Sequence, residues 1–99
     1  MSYTIQYLDI ALEDMAQIKT YLTEFHPSTW THFRDEVERK IARLQDTPEM
    51  YETYFANPTY RRLVVKDYLV FYKVDSEQQI VRIYRILHGA RDIQHFLTQ

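Results

Sequence analysis

The chain has 99 residues, a net charge of −2, 45% hydrophobic residues and no cysteine. This length predicts one domain, residues 1–99, with enough apolar side chains for a core. The lack of cysteine excludes disulfides, thiolate metal sites and a cysteine nucleophile. The N-terminal residues lack the basic start and apolar run of a signal peptide, and no segment approaches the roughly 20 apolar residues that span a bilayer. The sequence therefore predicts a cytoplasmic protein with no membrane segment.

Charge is distributed unevenly between the two halves of the chain. Residues 1–59 carry five Lys or Arg against ten Asp or Glu, whereas residues 60–99 carry seven against four. The acidic total argues against a general nucleic-acid coat. The basic second half is expected to face any acidic or phosphate-rich partner.

A short strand and two amphipathic helices are predicted in the first half. Apolar and polar residues alternate over residues 3–7, which is typical of a strand with one apolar face. Apolar residues recur at steps of three and four within residues 10–25 and again within residues 28–44, which predicts two helices. His26-Pro27 separates them, because the residue before a proline disfavours the helical conformation. So short a link predicts an antiparallel hairpin.

The second half of the chain predicts a sheet. Three runs rich in β-branched and aromatic residues, Tyr60–Val65, Tyr68–Val74 and Ile80–His88, are separated by short polar breaks. This spacing indicates an antiparallel meander with tight connections. Apolar residues at 50–55 predict one more helical turn before the sheet, and residues 90–97 predict a short last helix.

The order of these elements predicts the fold class. We expect an α+β fold in which the helical hairpin packs on one face of a small, mainly antiparallel four-stranded sheet, in the order β-α-α-β-β-β with a short C-terminal helix. The last strand is apolar in both registers, with Arg85 in the register of Val81, Ile83 and Leu87. Such a strand has both faces at least partly covered. The second cover is expected to be the C-terminal tail or a partner.

Basic residues of the sheet half form the candidate binding surface. With one histidine and one acidic residue, the set is Arg61, Arg62, Lys73, Arg82, Arg85, His88, Arg91 and Asp92. Such cations bind phosphate or carboxylate on the face away from the helices, although solvated charges or internal ion pairs explain them about as well. Arg85 lies amid apolar neighbours and therefore needs a specific partner, internal or external.

His88 is the candidate acid or base. A histidine titrates near neutral pH and can transfer protons. The alternative is a local hydrogen bond of His88 at a strand end, with Asp92 capping the last helix. No cofactor or metal site is predicted, because the four histidines lack metal-ligand spacing with carboxylates and no glycine-rich phosphate loop exists.

The chain resembles the ParE/RelE superfamily of bacterial type II toxins over nearly its whole length. The resemblance is carried by the hairpin Ala11–Leu44, by Tyr60-Arg61-Arg62-Leu63, by Tyr68–Val74 and above all by Arg85–Asp92. It implies a toxin that is neutralised by a cognate antitoxin. The C-terminal segment of that antitoxin would wrap the sheet and the helices.

The resemblance implies two alternative functions. RelE-like members cleave mRNA on the ribosome with Arg, Lys and Tyr or His on the open sheet face, whereas the characterised ParE-like members poison DNA gyrase. RelE-like nucleases usually carry an arginine where this chain has Leu69, and the run Arg85–Gly89 is more similar to the ParE branch. The ParE-like function is therefore favoured. A nuclease would use Arg62, Arg85, His88 and Arg91, so enzymatic activity stays open.

Overall fold

The computed structural model of the chain describes residues 2–91 and 93–97. Its elements follow the predicted order, so the α+β fold class is confirmed. Their bounds are β1 Thr4–Tyr7, α1 Asp9–Phe25, α2 Pro27–Ala42, β2 Arg61–Val65, β3 Tyr68–Asp75, β4 Ile80–His88 and α3 Ile93–Leu97, with one 3-10 turn, Arg43–Gln45, after α2. Asp92, predicted as a helix cap and a site residue, lies outside the described residues. No helix within the described ranges combines the length and apolar content needed to cross a membrane.

The two helices of the hairpin are separated at the position that the sequence predicts. α1 ends at Phe25 and α2 begins at Pro27, so that His26 alone links them. A proline at the first position of a helix loses no hydrogen bond, since that N–H has no partner within the helix. Both helices pack their apolar stripes on one face of the sheet. The helix residues of this core are Ala11, Ile18, Leu22, Phe33, Val37 and Ile41.

The sheet has the strand order β1-β4-β3-β2. β2, β3 and β4 form the predicted antiparallel meander, and β1 pairs in parallel with the first half of β4, from Thr4 opposite Ile80 to Tyr7 opposite Ile83. The rest of β4 has no strand on that side. This uncovered half of the β4 edge runs alongside α1, and it is where the candidate site begins.

A β-bulge changes which side chains of β4 point to each face of the sheet. Phe71 pairs with Arg85, but the next residue of β3, Tyr72, pairs with Ile83, so Tyr84 is an extra residue. An extra residue shifts the alternation of side chains beyond it. The predicted register of Arg85 with Val81 and Ile83 is therefore wrong, because Arg85 lies on the face that points away from the hairpin.

The face away from the hairpin is partly covered by the chain itself. A second apolar cluster lies there, composed of Tyr54, Tyr60, Phe71, Leu87, Ile93 and Leu97. The C-terminal helix is thus one cover, as predicted, and the segment before β2 is another that the sequence did not predict. The helical turn predicted at residues 50–55 is wrong. There the Tyr54 N–H donates to the Tyr60 carbonyl (2.8 Å), and the Glu52 carbonyl accepts from the Arg62 N–H (3.2 Å), which is strand-like pairing.

Candidate functional site

Lys73, one of the predicted site residues, lies beside two tyrosine rings on the face away from the hairpin. The Nζ atom of Lys73 lies 4.6 Å from the ring centre of Tyr60 and 4.8 Å from that of Tyr84. Ammonium groups at such distances are attracted by the ring faces. Burial, and then the nearby Tyr84, raise the pKa of Tyr60, so its phenol stays protonated at neutral pH. We call Tyr60, Lys73 and Tyr84 the cation patch.

Arg82 lies beside the cation patch but is fully engaged within the chain. It donates to Asp75 (3.0 Å), to the Gln6 side chain (3.1 Å) and to the Gln78 side chain (3.2 Å). The backbone N–H of Gln78 and the guanidinium of Arg82 lower the pKa of Asp75. The charge of Arg82 is therefore matched by Asp75, and few of its N–H groups are left for a ligand.

Arg61 and Arg62, which are neighbours in the edge strand β2, have different contacts. Arg61 donates to the Tyr51 carbonyl (2.7 Å) and to Glu49 (3.2 Å), which ties it to the segment before the sheet. Arg62 makes no ion pair within the described residues, and its guanidinium lies 6.0 Å from the ring centre of Tyr54. Only Arg62 of these two is available as a cation for a partner.

Arg85 has an internal partner, Asp14 of α1. Its Nε and Nη2 atoms donate to the two carboxylate oxygens at 2.8 and 2.9 Å, and the same carboxylate accepts the backbone N–H of Ile86 at 3.0 Å. The side chains of Arg85 and Asp14 are only 11% and 7% exposed. The hydrogen bond to Asp14 raises the pKa of Arg85, so its guanidinium keeps its charge and is matched by the carboxylate beside it. Of the two kinds of partner that the sequence allowed for Arg85, internal and external, the structure shows the internal one.

His88 lies on the hairpin side of the sheet. It pairs with Tyr68, whose ring centre is 5.2 Å from the imidazole and 4.9 Å from Phe33 of α2. The backbone N–H of Ala90 donates to Nδ1 of His88 at 3.1 Å. A nitrogen that accepts a hydrogen bond carries no proton, so the neutral ring is protonated at Nε2 and is a donor there. The local hydrogen bond considered for His88 is thus present.

A groove runs along the uncovered half of the β4 edge, between α1 and the sheet. It consists of two adjoining cavities of about 500 and about 250 Å³, which share Tyr21, Tyr68 and His88. The larger one continues to His26 and Lys66, and the smaller one to Arg91. We call this feature the hairpin groove. Its apolar lining is Ile18, Leu22, Phe33, Ile86 and Leu87.

Cations stand at both ends of the hairpin groove. Lys66 is exposed at the turn between β2 and β3, and Arg91 is exposed beyond β4, with its guanidinium 4.9 Å from the ring centre of Phe96. Neither forms an ion pair within residues 2–91 and 93–97. Burial raises the pKa of Tyr68, which keeps the phenol between them protonated. The groove therefore offers mostly hydrogen-bond donors.

The predicted site residues do not converge on one centre. Arg62 and Arg85 lie on one face, on either side of the fully buried Phe71, whereas His88 lies on the other face. Asp14, Tyr21 and Lys66 were not predicted as site residues. Tyr21 lies outside the apolar stripe of α1, which was an available signal. Within the described residues, no cluster of three His, Cys, Asp or Glu side chains could hold a metal ion.

Comparisons with known proteins agree on the fold. The family model described as "ParE toxin of type II toxin-antitoxin system, parDE" matches residues 5–93. Among solved structures, the chromosomal ParDE system from P. aeruginosa is similar with a TM-score of 0.74 and 14% identity, over 88% of this chain and 96% of that one. No curated protein matches the chain significantly in sequence.

Two further solved structures show the same architecture. A double arginine-to-alanine mutant of the E. coli toxin RelE in the free state has a TM-score of 0.72 and 13% identity, over 97% of this chain and 93% of that one. The toxin–antitoxin complex RelBE2 from Mycobacterium tuberculosis has a TM-score of 0.62 and 19% identity, over 89% and 99%. At these identities the likenesses establish the fold alone.

Proposed function

Because the chain belongs to the ParE toxin family of type II toxin–antitoxin systems, we propose that it inhibits growth by poisoning DNA gyrase and is neutralised by a cognate antitoxin. With DNA gyrase as its target, the chain would act in the cytoplasm. The observation that most supports this proposal is the Asp14–Arg85 pair. It neutralises one of the cations that a nuclease would use. A ribosome-dependent mRNA endonuclease is the alternative.

Cleavage of RNA by attack of the 2′-hydroxyl requires a base and a cation that stabilises the charge developing on the phosphate. Arg85 belongs to the candidate nuclease set, and its charge is already matched by Asp14 at 2.8 Å. His88 is a poor base in its neutral form, because Nδ1 is engaged and Nε2 carries the proton. This arrangement supports a toxin that acts by binding.

The cation patch and Arg62 are the proposed contacts to the target. Lys73 and Arg62 lie on the same face and make no ion pairs within the described part of the chain, so their charges are available to an acidic surface. Tyr60 and Tyr84 add rings beside Lys73. Aromatic residues next to cations are frequent at the centre of binding surfaces.

A cognate antitoxin is the second proposed partner. The neighbours from P. aeruginosa and M. tuberculosis are described as a ParDE system and as a toxin–antitoxin complex. Their shared fold supports an inhibitor protein for this chain too. The product of the neighbouring reading frame is the candidate to test.

The gyrase proposal is tested with the purified chain and purified gyrase. We expect loss of supercoiling and accumulation of cleaved DNA trapped on the enzyme. The Arg62→Ala/Lys73→Ala variant should need about tenfold more protein for the same effect. Arg43→Ala serves as the control, because Arg43 is exposed on the 3-10 turn after α2, whose Leu44 packs in the core on the hairpin side of the sheet. Unchanged supercoiling with no trapped DNA would refute the gyrase target.

The alternative is tested by mapping the ends of translated mRNAs after induction of the chain. A nuclease on the ribosome would produce cuts at defined codon positions within minutes. Growth arrest with intact messages would exclude it, and codon-dependent cuts that disappear in Arg62→Ala would replace the gyrase proposal.

A further inference from the structure

We propose that Phe55, in the segment before β2, is the anchor residue of the surface that contacts the target. It would insert into an apolar pocket of gyrase whose rim offers a carboxylate to Arg62. The inference rests on the proposed function and deepens it, because it names the side chain that should contribute most to the affinity. We call Tyr54, Phe55 and Arg62 the anchor surface.

Phe55 is the most exposed large hydrophobic side chain of the described residues, with 84% of its surface in water. Burial of such a ring against a partner is favourable, because it removes a large apolar surface from water. Single exposed apolar residues are common on proteins, but Phe55 also has a hydrogen-bonded support and an unpaired cation beside it.

The loop that carries Phe55 is held by its backbone and by its neighbours. The Tyr54 N–H donates to the Tyr60 carbonyl (2.8 Å), the Asn57 N–H to the Tyr54 carbonyl (3.1 Å) and the Tyr60 N–H to the Asn57 carbonyl (3.1 Å). The buried rings of Tyr54 and Tyr60 lie 5.1 and 6.3 Å from the ring centre of Phe71. An ordered loop loses little conformational entropy when it binds, which favours affinity.

The charges around Phe55 favour a protein pocket over a nucleic acid. The ring centre of Tyr54 lies 5.3 Å from that of Phe55 and 6.0 Å from the guanidinium of Arg62, which has no ion pair within the described residues. Residues 49–59 carry two glutamates and no lysine or arginine, and Glu52 is exposed. A phosphate backbone next to Phe55 would approach these carboxylates, whereas a protein can place one carboxylate opposite Arg62.

Tyr60 connects the anchor surface to the cation patch. Its backbone closes the loop of Phe55, and its ring centre lies 4.6 Å from the Nζ atom of Lys73. The two features therefore form one continuous surface. Because a few aromatic and arginine residues carry most of the affinity of such surfaces, Phe55 and Arg62 should contribute more than Lys73.

The test compares two exposed phenylalanines on opposite sides of the sheet. Phe55→Ala should need at least about tenfold more protein than the wild type to trap cleaved DNA on purified gyrase. Phe25→Ala removes the same ring from the end of α1, where it is 57% exposed, and should act as the wild type does. Phe55→Leu keeps part of the apolar surface and should lie in between. Circular dichroism verifies that each variant is folded. Equal potency of Phe55→Ala and the wild type would overturn the inference.

The occupant of the anchor surface is tested by fluorescence. Trp30 is the only tryptophan of the chain, so Phe55→Trp combined with Trp30→Phe places a single indole at the anchor position. Gyrase should shift the emission to shorter wavelength, because the ring leaves water. A DNA duplex alone should leave the emission unchanged. A shift with the duplex but not with gyrase would overturn the protein pocket and identify a DNA contact.

A growth assay separates this inference from the gyrase target. At equal protein level, Phe55→Ala should arrest growth far less than the wild type and Phe25→Ala do. Full arrest by Phe55→Ala would overturn the anchor for any target. No effect of the wild type on purified gyrase would instead refute the gyrase target, while loss of arrest in Phe55→Ala alone would still identify Phe55 as the anchor.

Discussion

The two faces of the sheet use the same strands but are covered in different ways. Under the hairpin, Leu63, Val70 and Ile83 are fully buried by two long helices. On the other face, rings and cations alternate, and the cover is a loop and the five-residue helix α3. Because the core under the hairpin holds more buried apolar side chains than the cluster on the other face, we expect the hairpin face to supply most of the stability. The less covered face and the groove at the strand end remain available for partners.

The two Arg–Asp pairs of β4 reproduce this contrast on a smaller scale. Arg85 and Asp14 connect the strand to α1 and are 11% and 7% exposed, whereas Arg82 and Asp75 are 28% and 27% exposed. A buried charge left without its partner destabilises strongly, but an exposed pair contributes little. Substitutions in the two pairs should therefore differ in their effect on the free energy of unfolding.

The largest effect is expected for Asp14→Ala. The substitution leaves the Arg85 guanidinium and the Ile86 N–H without an acceptor, so the free energy of unfolding should fall by about 3–5 kcal/mol. Urea denaturation followed by circular dichroism measures it. The double variant Asp14→Leu/Arg85→Leu removes both charges and should recover most of the loss. A loss below about 1 kcal/mol in Asp14→Ala would show that the pair is not a major contact.

The next prediction compares the loss of stability on truncation of one residue from each face. Ile83→Ala removes a fully buried side chain under the hairpin and should lower the free energy of unfolding by about 2–5 kcal/mol. Val64→Ala on the other face, where the side chain is 46% exposed, should change it by at most about 0.5 kcal/mol. Equal losses in chemical denaturation would abolish the distinction between the faces.

Tyr72, which packs under the hairpin, should make the stability of the protein depend on pH. Its hydroxyl donates to the Pro48 carbonyl at 3.0 Å, so Tyr72→Phe should lose about 1 kcal/mol. Burial raises the pKa of Tyr72 from 10.0 to about 12. Because the unfolded chain ionises first, wild-type stability should hold below about pH 10 and then fall as the pH rises towards 12. Urea midpoints from pH 9 to 11.5 should show a shallower fall in Tyr72→Phe.

The smallest effect is expected for Asp75→Asn on the less covered face. The pKa of Asp75 is lowered by the Gln78 N–H and by Arg82. Its contribution is therefore present above the unfolded-state pKa, near pH 4, and is lost as the pH falls through the lower folded-state value. Acid titration of the urea midpoint should be slightly flatter in Asp75→Asn. A drop as large as that of Asp14→Ala would contradict the contrast between the pairs.

Local patterns predicted most of the fold, because helical stripes, the His26-Pro27 break and the polar turns are encoded within a few residues of one another. The bulge at Tyr84 could not be predicted from such local patterns. β4 is apolar in both registers, so one inserted residue does not change its sequence pattern visibly. The cover formed by Tyr54 and Tyr60 was missed for a related reason. It depends on backbone pairing between residues 52–54 and the start of β2, which no periodicity reveals.

The candidate site was less predictable than the fold. Arg85 was correctly expected to need a specific partner, but its partner is 71 residues away in the sequence. Asp14 itself was not recognised as that partner. The division of Arg62 and His88 between opposite faces follows from strand register, whereas the groove depends on how far β1 extends along β4. Both are properties of the assembled sheet.

The carboxylate of Asp14 has one more consequence for the protein in the cell. An unpaired strand edge is a template on which another chain can add, and such addition leads to aggregation. β1 shields β4 only as far as Ile83, and beyond it Asp14 already occupies the Ile86 N–H. An incoming strand would have to displace a charged group that is held by Arg85. We therefore expect the Asp14 carboxylate to hinder strand addition at this part of the β4 edge.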